Sequence, residues 1–288
     1  MIAEQPRKRA LRARRAACRR RPLVRQALPR ARRERPIFNR QRSRRTAARL
    51  CAFATALLIA GAVSFSLLTS SRAAANVHSE ERAAQDVAAL QAGPSPIPRA
   101  ASFDVPALQQ NPELPTGCES VALTNALLSL GFELDKTEIA DAWLPRSDSD
   151  FVTAFMGDPH ATDGHSCMAP AIVQTANAYL SAQGSPLEAF DLTGSTIEGV
   201  LDEVAAGNPV IVWCTIGLES PGDAYRVEQA NGRVYRLYPN SHCVVVSGYD
   251  LHEGTALISD SLVGKTKCSL QQLTARYYEL GAQAVVIK

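Results

Sequence analysis

Apolar positions recur at two different spacings along this chain, and the change falls near Gly207. Ahead of it the spacing is helical. Residues 120–130 carry Val121, Leu123, Leu127, Leu128 and Leu130, and Gly131 follows as a stop, which predicts a helix. Thr116 and Glu119 stand at capping-box spacing, so Thr116 is the expected N-cap and Cys118 falls in the first turn. Residues 136–143 and 169–183 repeat the helical pattern, and 195–206 opens on a second capping box, Ser195 with Glu198. Beyond Gly207 the blocks are short and β-like. Residues 209–215 (PVIVWCT) read as a buried strand, and 233–238 alternates. Residues 243–249 and 256–259 form two strands joined by a turn around His252-Glu253-Gly254. A helix over 269–280 and a closing strand over 284–287 complete the series. Helices followed by antiparallel strands predict an α+β fold, and residues 103–288 suffice for one hydrophobic core.

The N-terminal part reads differently. Residues 1–49 hold nineteen Arg or Lys against two Glu, a charge of +17, while the remainder carries −14 within the total of +3. Leu50 to Thr69 is an uncharged run of twenty residues, the length that crosses a hydrocarbon core of roughly 30 Å. Arg44, Arg45 and Arg49 precede it and only Arg72 follows closely, so the positive-inside rule puts the N-terminus in the cytoplasm. Four segments are expected: an Arg-rich tail over 1–49, a transmembrane helix over 50–70, an extracellular linker over 71–102 and a folded domain over 103–288. A cleaved signal peptide ending near Ser71-Arg72-Ala73 competes, but the long charged leader and twenty-residue core favour an uncleaved single-pass anchor. The basic tail has one aromatic residue, Phe38, and no folded motif. Contact with anionic inner-leaflet lipid explains it better than nucleic-acid binding. Within the linker, 79–92 reads as a helix capped by Ser79, with Pro94, Pro96 and Pro98 as a semi-rigid spacer after it.

Chemistry concentrates at Cys118. A thiol in the first turn of a helix meets unpaired backbone N–H groups and the positive end of the dipole, which stabilise the thiolate. His242 stands at the mouth of a strand, and Asp260 ends the next strand of the hairpin, where it can reach the ring and fix its tautomer. Cys118, His242 and Asp260 therefore form a candidate catalytic triad. Gln109 and Gln110 lie just upstream of the cysteine, where a side-chain amide can join the Cys118 backbone N–H in an oxyanion hole. Five cysteines follow the span, an odd number, so one thiol is left over whatever pairing Cys167, Cys214, Cys243 and Cys268 adopt. A zinc site from His165, Cys167, His242 and Cys243 is disfavoured, because neighbours on a strand point to opposite faces. No metal or other cofactor is expected.

Residues 104–131, DVPALQQNPELPTGCESVALTNALLSLG, resemble the signature of a bacterial branch of papain-like cysteine peptidases. That branch is related to the double-glycine leader peptidases of bacteriocin exporters. Residues 164–170, 209–215, 242–250 and 281–287 match as well, so the resemblance spans about 103–288. It implies a papain-like fold with Cys118 as nucleophile, His242 as base, Asp260 as orienter and Gln110 in the oxyanion hole. It also casts Cys167 and Cys243 as packing or paired structural residues. In the family pattern the acid is usually followed by proline, whereas this chain has Asp260-Ser261. The expected activity is hydrolysis of a peptide or protein substrate outside the cell. Acyl transfer to an amine on the same triad, and a non-catalytic binding module with this fold, are the alternatives.

Overall fold

A computed structural model describes residues 75–92 and 97–288. The expected tail and the expected span over 50–70 lie outside them, and no helix among the described residues is long and apolar enough to cross a membrane. The helices are α1 (residues 75–92), α2 (Cys118–Ser129), α3 (Ala169–Ala182), α4 (Ile197–Ala205) and α5 (Leu270–Glu279). The short strands are β1 (Ala100–Ser102), β2 (Arg146–Ser147), β3 (Phe155–Met156) and β4 (Ala189–Asp191). They are followed by β5 (Val210–Thr215), β6 (Arg226–Ala230), β7 (Arg233–Leu237), β8 (Ser241–Asp250), β9 (Thr255–Asp260), β10 (Gly264–Ser269) and β11 (Ala284–Ile287).

One sheet organises the domain, in the order β10-β9-β8-β5-β11-β4, with β1 added beside the far end of β8. Pairing along β5, β8, β9 and β10 is antiparallel. The sheet is covered on both faces, which is why β5 and the first half of β8 are continuously apolar instead of alternating. Ile211, Trp213, Cys243 and Val245 enter a core with α2 and α3. Val210, Val212, Val244, Val246 and Ile258 enter a second core with residues of α1, α4 and α5. Helix α1 is thus part of the folded unit. It buries Ala83, Val87 and Leu90, Arg82 lies 4.2 Å above the Tyr278 ring, and Arg276 pairs with Glu80.

Local chemistry departs from the sequence reading at three places. Helix α2 has Gly117 as N-cap with no side-chain cap; Thr116 Oγ1 donates instead to the Ala161 carbonyl at 3.1 Å, and Glu119 turns into the core. The cap of α4 is Thr196, which accepts from Gly199 N–H at 3.3 Å, one residue later than expected. Of the expected helix over 136–143, only a π-helical turn at Ile139–Trp143 forms. The alternating stretch at 233–238 is real, as β7, but it pairs with β6 in a separate two-stranded ribbon.

Candidate active site

Cys118 opens α2, where the chain is packed too tightly for anything but glycine before it. A Cβ on Gly117 would stand 2.9 Å from Leu114 Cβ and 3.1 Å from Ser120 Oγ. This crowding fixes the first turn and places a twelve-residue helix behind the sulfur, with its positive end toward it. The thiol is 7% exposed.

The sheet supplies the partners. In the β8–β9 pairing Val244 faces Asp260, so Asp260 lies diagonally across from His242 on the same face. His242 Nε2 donates to Asp260 Oδ1 at 2.7 Å, which leaves Nδ1 for the sulfur. Asp260 Oδ1 also accepts from Leu262 N–H at 2.7 Å, so the carboxylate is itself fixed. Burial works against a charged His242, but the hydrogen bonds to Asp260 and then Cys118 outweigh it, and its pKa is pushed up to about 10. Asp260 is held below the usual carboxylate range: burial opposes this, and the His242 hydrogen bond prevails. A hydrogen bond from Cys243 holds Cys118 well below the ordinary thiol range against the effect of burial, and His242 adds to it. These directions together describe a thiolate–imidazolium pair.

Gln110 is buried at 3% exposure and clamped at both ends. Its Nε2 donates to the Pro115 carbonyl at 2.9 Å, Ser261 Oγ donates to its Oε1 at 2.6 Å, and its N–H donates to the Ser261 carbonyl at 2.9 Å. The serine that stands where the family pattern has proline thus dictates which end of the amide carries the hydrogens, and ties Gln110 to the residue after Asp260.

The sequence reading missed Glu119, treated there as a cap. It is 1% exposed, its Oε2 lies 3.3 Å from Cys118 Sγ, and its Oε1 accepts from Cys167 N–H at 3.1 Å and from Ser166 Oγ. The Cys167 carbonyl accepts from the Trp213 indole at 2.9 Å, which anchors this segment to β5. A charged residue at the second position of a strongly apolar helix was the signal available in the sequence.

The four residues of the disfavoured zinc set are not brought together: His165 Nδ1 faces the Tyr225 hydroxyl at 3.1 Å, while Cys167 and Cys243 are in the core. Among the described residues, Cys118, Glu119 and Cys243 do place ligand atoms within 4.8 Å of one another. A cation there would occupy the Cys118 sulfur. Cys118, Cys167, Cys214, Cys243 and Cys268 are all free thiols.

A family model described as "Peptidase_C39 like family" matches residues 102–285. The uncharacterized protein YvpB of Bacillus subtilis (strain 168) is 29% identical over 185 residues, covering 62% of this chain and 71% of its own. A crystal structure of a C39-like peptidase from Bacillus anthracis has a TM-score of 0.57 at 27% identity, covering 66% of this chain and 97% of that one. The α+β domain therefore has the papain-like C39 fold, and the chain belongs to the Peptidase_C39 like family as a papain-like cysteine peptidase.

Proposed function

We propose that residues 103–288 hydrolyse peptide bonds through a Cys118–His242–Asp260 triad. The observation that carries this reading is one hydrogen-bonded line. The His242 ring has Nε2 on a fixed carboxylate at 2.7 Å, which leaves its other nitrogen to serve the sulfur at a helix N-terminus. The Cys118 thiolate attacks the substrate carbonyl carbon, and the electron pair of the C=O bond moves to oxygen. The Cys118 backbone N–H and the Gln110 amide stabilise that oxyanion. His242 then gives its proton to the leaving amine, the C–N bond breaks, and a thioester remains on Sγ. A water molecule, losing its proton to His242, cleaves the thioester and restores the ion pair.

The four segments expected from the sequence give this domain its place. Residues 50–70 anchor the chain, 1–49 stay in the cytoplasm, and the stretch expected as a linker lies at the outer face with α1 and β1 packed onto the domain. The charge asymmetry about the uncharged run supports this topology.

The full-length chain and its Cys118→Ala variant are compared on a peptide library with mass-spectrometric readout. Loss of at least about 10³-fold in turnover is expected for the variant. Full turnover without the thiol would overturn the assignment. Protease added to intact cells is expected to digest residues 103–288; protection of the domain would overturn the topology.

A further inference from the structure

The mechanism above leaves one buried acid at the sulfur unused. We propose that Glu119 is a further catalytic residue, a neutral carboxyl whose Oε2–H donates to the Cys118 sulfur and holds it as a thiolate. This rests on the reading of Cys118 as the nucleophile and adds a second acid to that site.

Hydrogen-bond accounting carries the assignment. Oε1 accepts from two donors, Ser166 Oγ–H and Cys167 N–H at 3.1 Å, so it carries no hydrogen and Oε2 is the oxygen open to a proton. Oε2 meets Cys118 Sγ at 3.3 Å, and one proton lies between them. The sulfur is not its source. His242, buried and committed at Nε2 to Asp260, is the cation that pairs with the sulfur, and Cys243 Sγ lies within 4.8 Å of it. As the thiolate of that ion pair the sulfur has no hydrogen of its own to give, so the proton between it and Oε2 belongs to the carboxyl. The alternative is a carboxylate 3.3 Å from a thiolate, both buried, where like charges oppose each other with little water between them.

The surroundings fit a neutral acid. The groups around the sulfur are Glu119 itself, His242 and Cys243 from β8 with Asp260 of β9 behind, and Cys167 ahead of α3, while Cys214 on β5 lies in the core of the other sheet face. Burial pushes the thiols of Cys167, Cys214 and Cys243 up, so they remain uncharged. Tyr225, whose hydroxyl meets His165 Nδ1 at 3.1 Å, is likewise raised by burial. His242 is the one cation of the cluster, and Asp260 and the thiolate already carry two negative charges. Burial, followed by the nearby thiolate, raises Glu119 well above the ordinary carboxyl range. The neutral acid thus supplies a donor to the nucleophile without adding a third negative charge.

Two substitutions separate this role from a structural one. Alkylation of the full-length chain by iodoacetamide is followed against pH, with Cys118 read individually by peptide mapping. Glu119→Gln keeps a neutral donor in the same place and is expected to leave the pH midpoint of Cys118 alkylation within about half a unit. Glu119→Ala removes the donor and is expected to raise the midpoint by about one unit or more, a tenfold loss of thiolate at a given pH. If Glu119→Gln lowers the midpoint by about a unit, the wild-type carboxyl is ionised and the proposal falls. An unchanged midpoint in a folded Glu119→Ala variant also overturns it. Should the alanine variant fail to fold, the near-isosteric glutamine variant decides alone, together with the infrared band of a protonated carboxyl that it is expected to abolish. The readout needs no peptide substrate, so a failed Glu119 prediction stays distinct from a failed peptidase assignment, which would appear as Cys118 reacting no faster than the other cysteines.

Discussion

Asp260→Asn probes the electrostatics on which the ion pair rests. The wild-type carboxylate accepts the His242 Nε2–H at 2.7 Å, and the two residues are 7% and 2% exposed. Asparagine keeps an acceptor oxygen there and withdraws the charge. A hydrogen bond to a charged group contributes about 1.5–3 kcal/mol and a neutral one about 0.5–1.5 kcal/mol, so about 1–1.5 kcal/mol of imidazolium stabilisation is removed. At about 1.36 kcal/mol per unit, His242 falls by about one unit. The sign follows from its raised pKa. The imidazolium is present below about 10 and lost as pH rises through it, so the wild-type ion pair disappears on the alkaline side there. In Asp260→Asn the alkaline limb of kcat/KM moves down by about one unit. The acid limb rises slightly, because the thiolate has a weaker cation beside it. The assay is a fluorogenic-peptide pH profile, with near-ultraviolet circular dichroism as the folding control. An alkaline limb that stays in place would show that Asp260 does not act through His242. The pair also contributes to folding stability in two pH windows. The His242 part is complete below the ordinary imidazole value of 6.5 and is lost progressively as pH rises from there through about 10. The Asp260 part, with its lowered pKa, is lost toward acid.

Two further outcomes test other parts of the structure. Gln110→Ala is expected to lower kcat by about 10²–10³-fold with KM nearly unchanged, as loss of an oxyanion donor does; an effect confined to KM would assign Gln110 to substrate binding. Leu90→Ala in α1 is expected to cost about 2–5 kcal/mol in denaturant melts, because Leu90 is 5% exposed in the second core, and an unchanged midpoint would show that α1 does not belong to the folding unit.

Most of the β half was legible because its strands differ in composition from everything before them. The hairpin of β8 and β9, which brings His242 and Asp260 to one end of the sheet, follows from two apolar runs and a short turn. Other elements gave weaker signals. Strand β10 is an edge strand whose lysines, Lys265 and Lys267, point outward, so its apolar content is too low to announce it. Strand β6 has exposed Arg226 and Val227 and is defined by pairing with β7. The Thr116–Glu119 spacing satisfied a capping box, but tertiary contacts claimed both side chains: Thr116 by the carbonyls of the 158–161 turn, Glu119 by Ser166 and the Cys167 N–H. Helix α2 is buried on nearly every side, so a carboxylate on it could face inward, which spacing along the chain does not reveal. Likewise, cysteines beyond an expected membrane span suggested disulfides, whereas the sheet sends Cys243 and Cys214 to opposite faces.

The chain has two tryptophans, Trp143, packed edge-on to Tyr179 at 5.5 Å, and Trp213, whose indole holds the Cys167 carbonyl. Through Cys167 and Glu119, Trp213 is three hydrogen-bonded contacts from the sulfur. The protein therefore carries its own optical reporter. With Trp143 replaced by phenylalanine, the emission of the one remaining tryptophan becomes the readout for the thioester proposed on Cys118, with no label introduced.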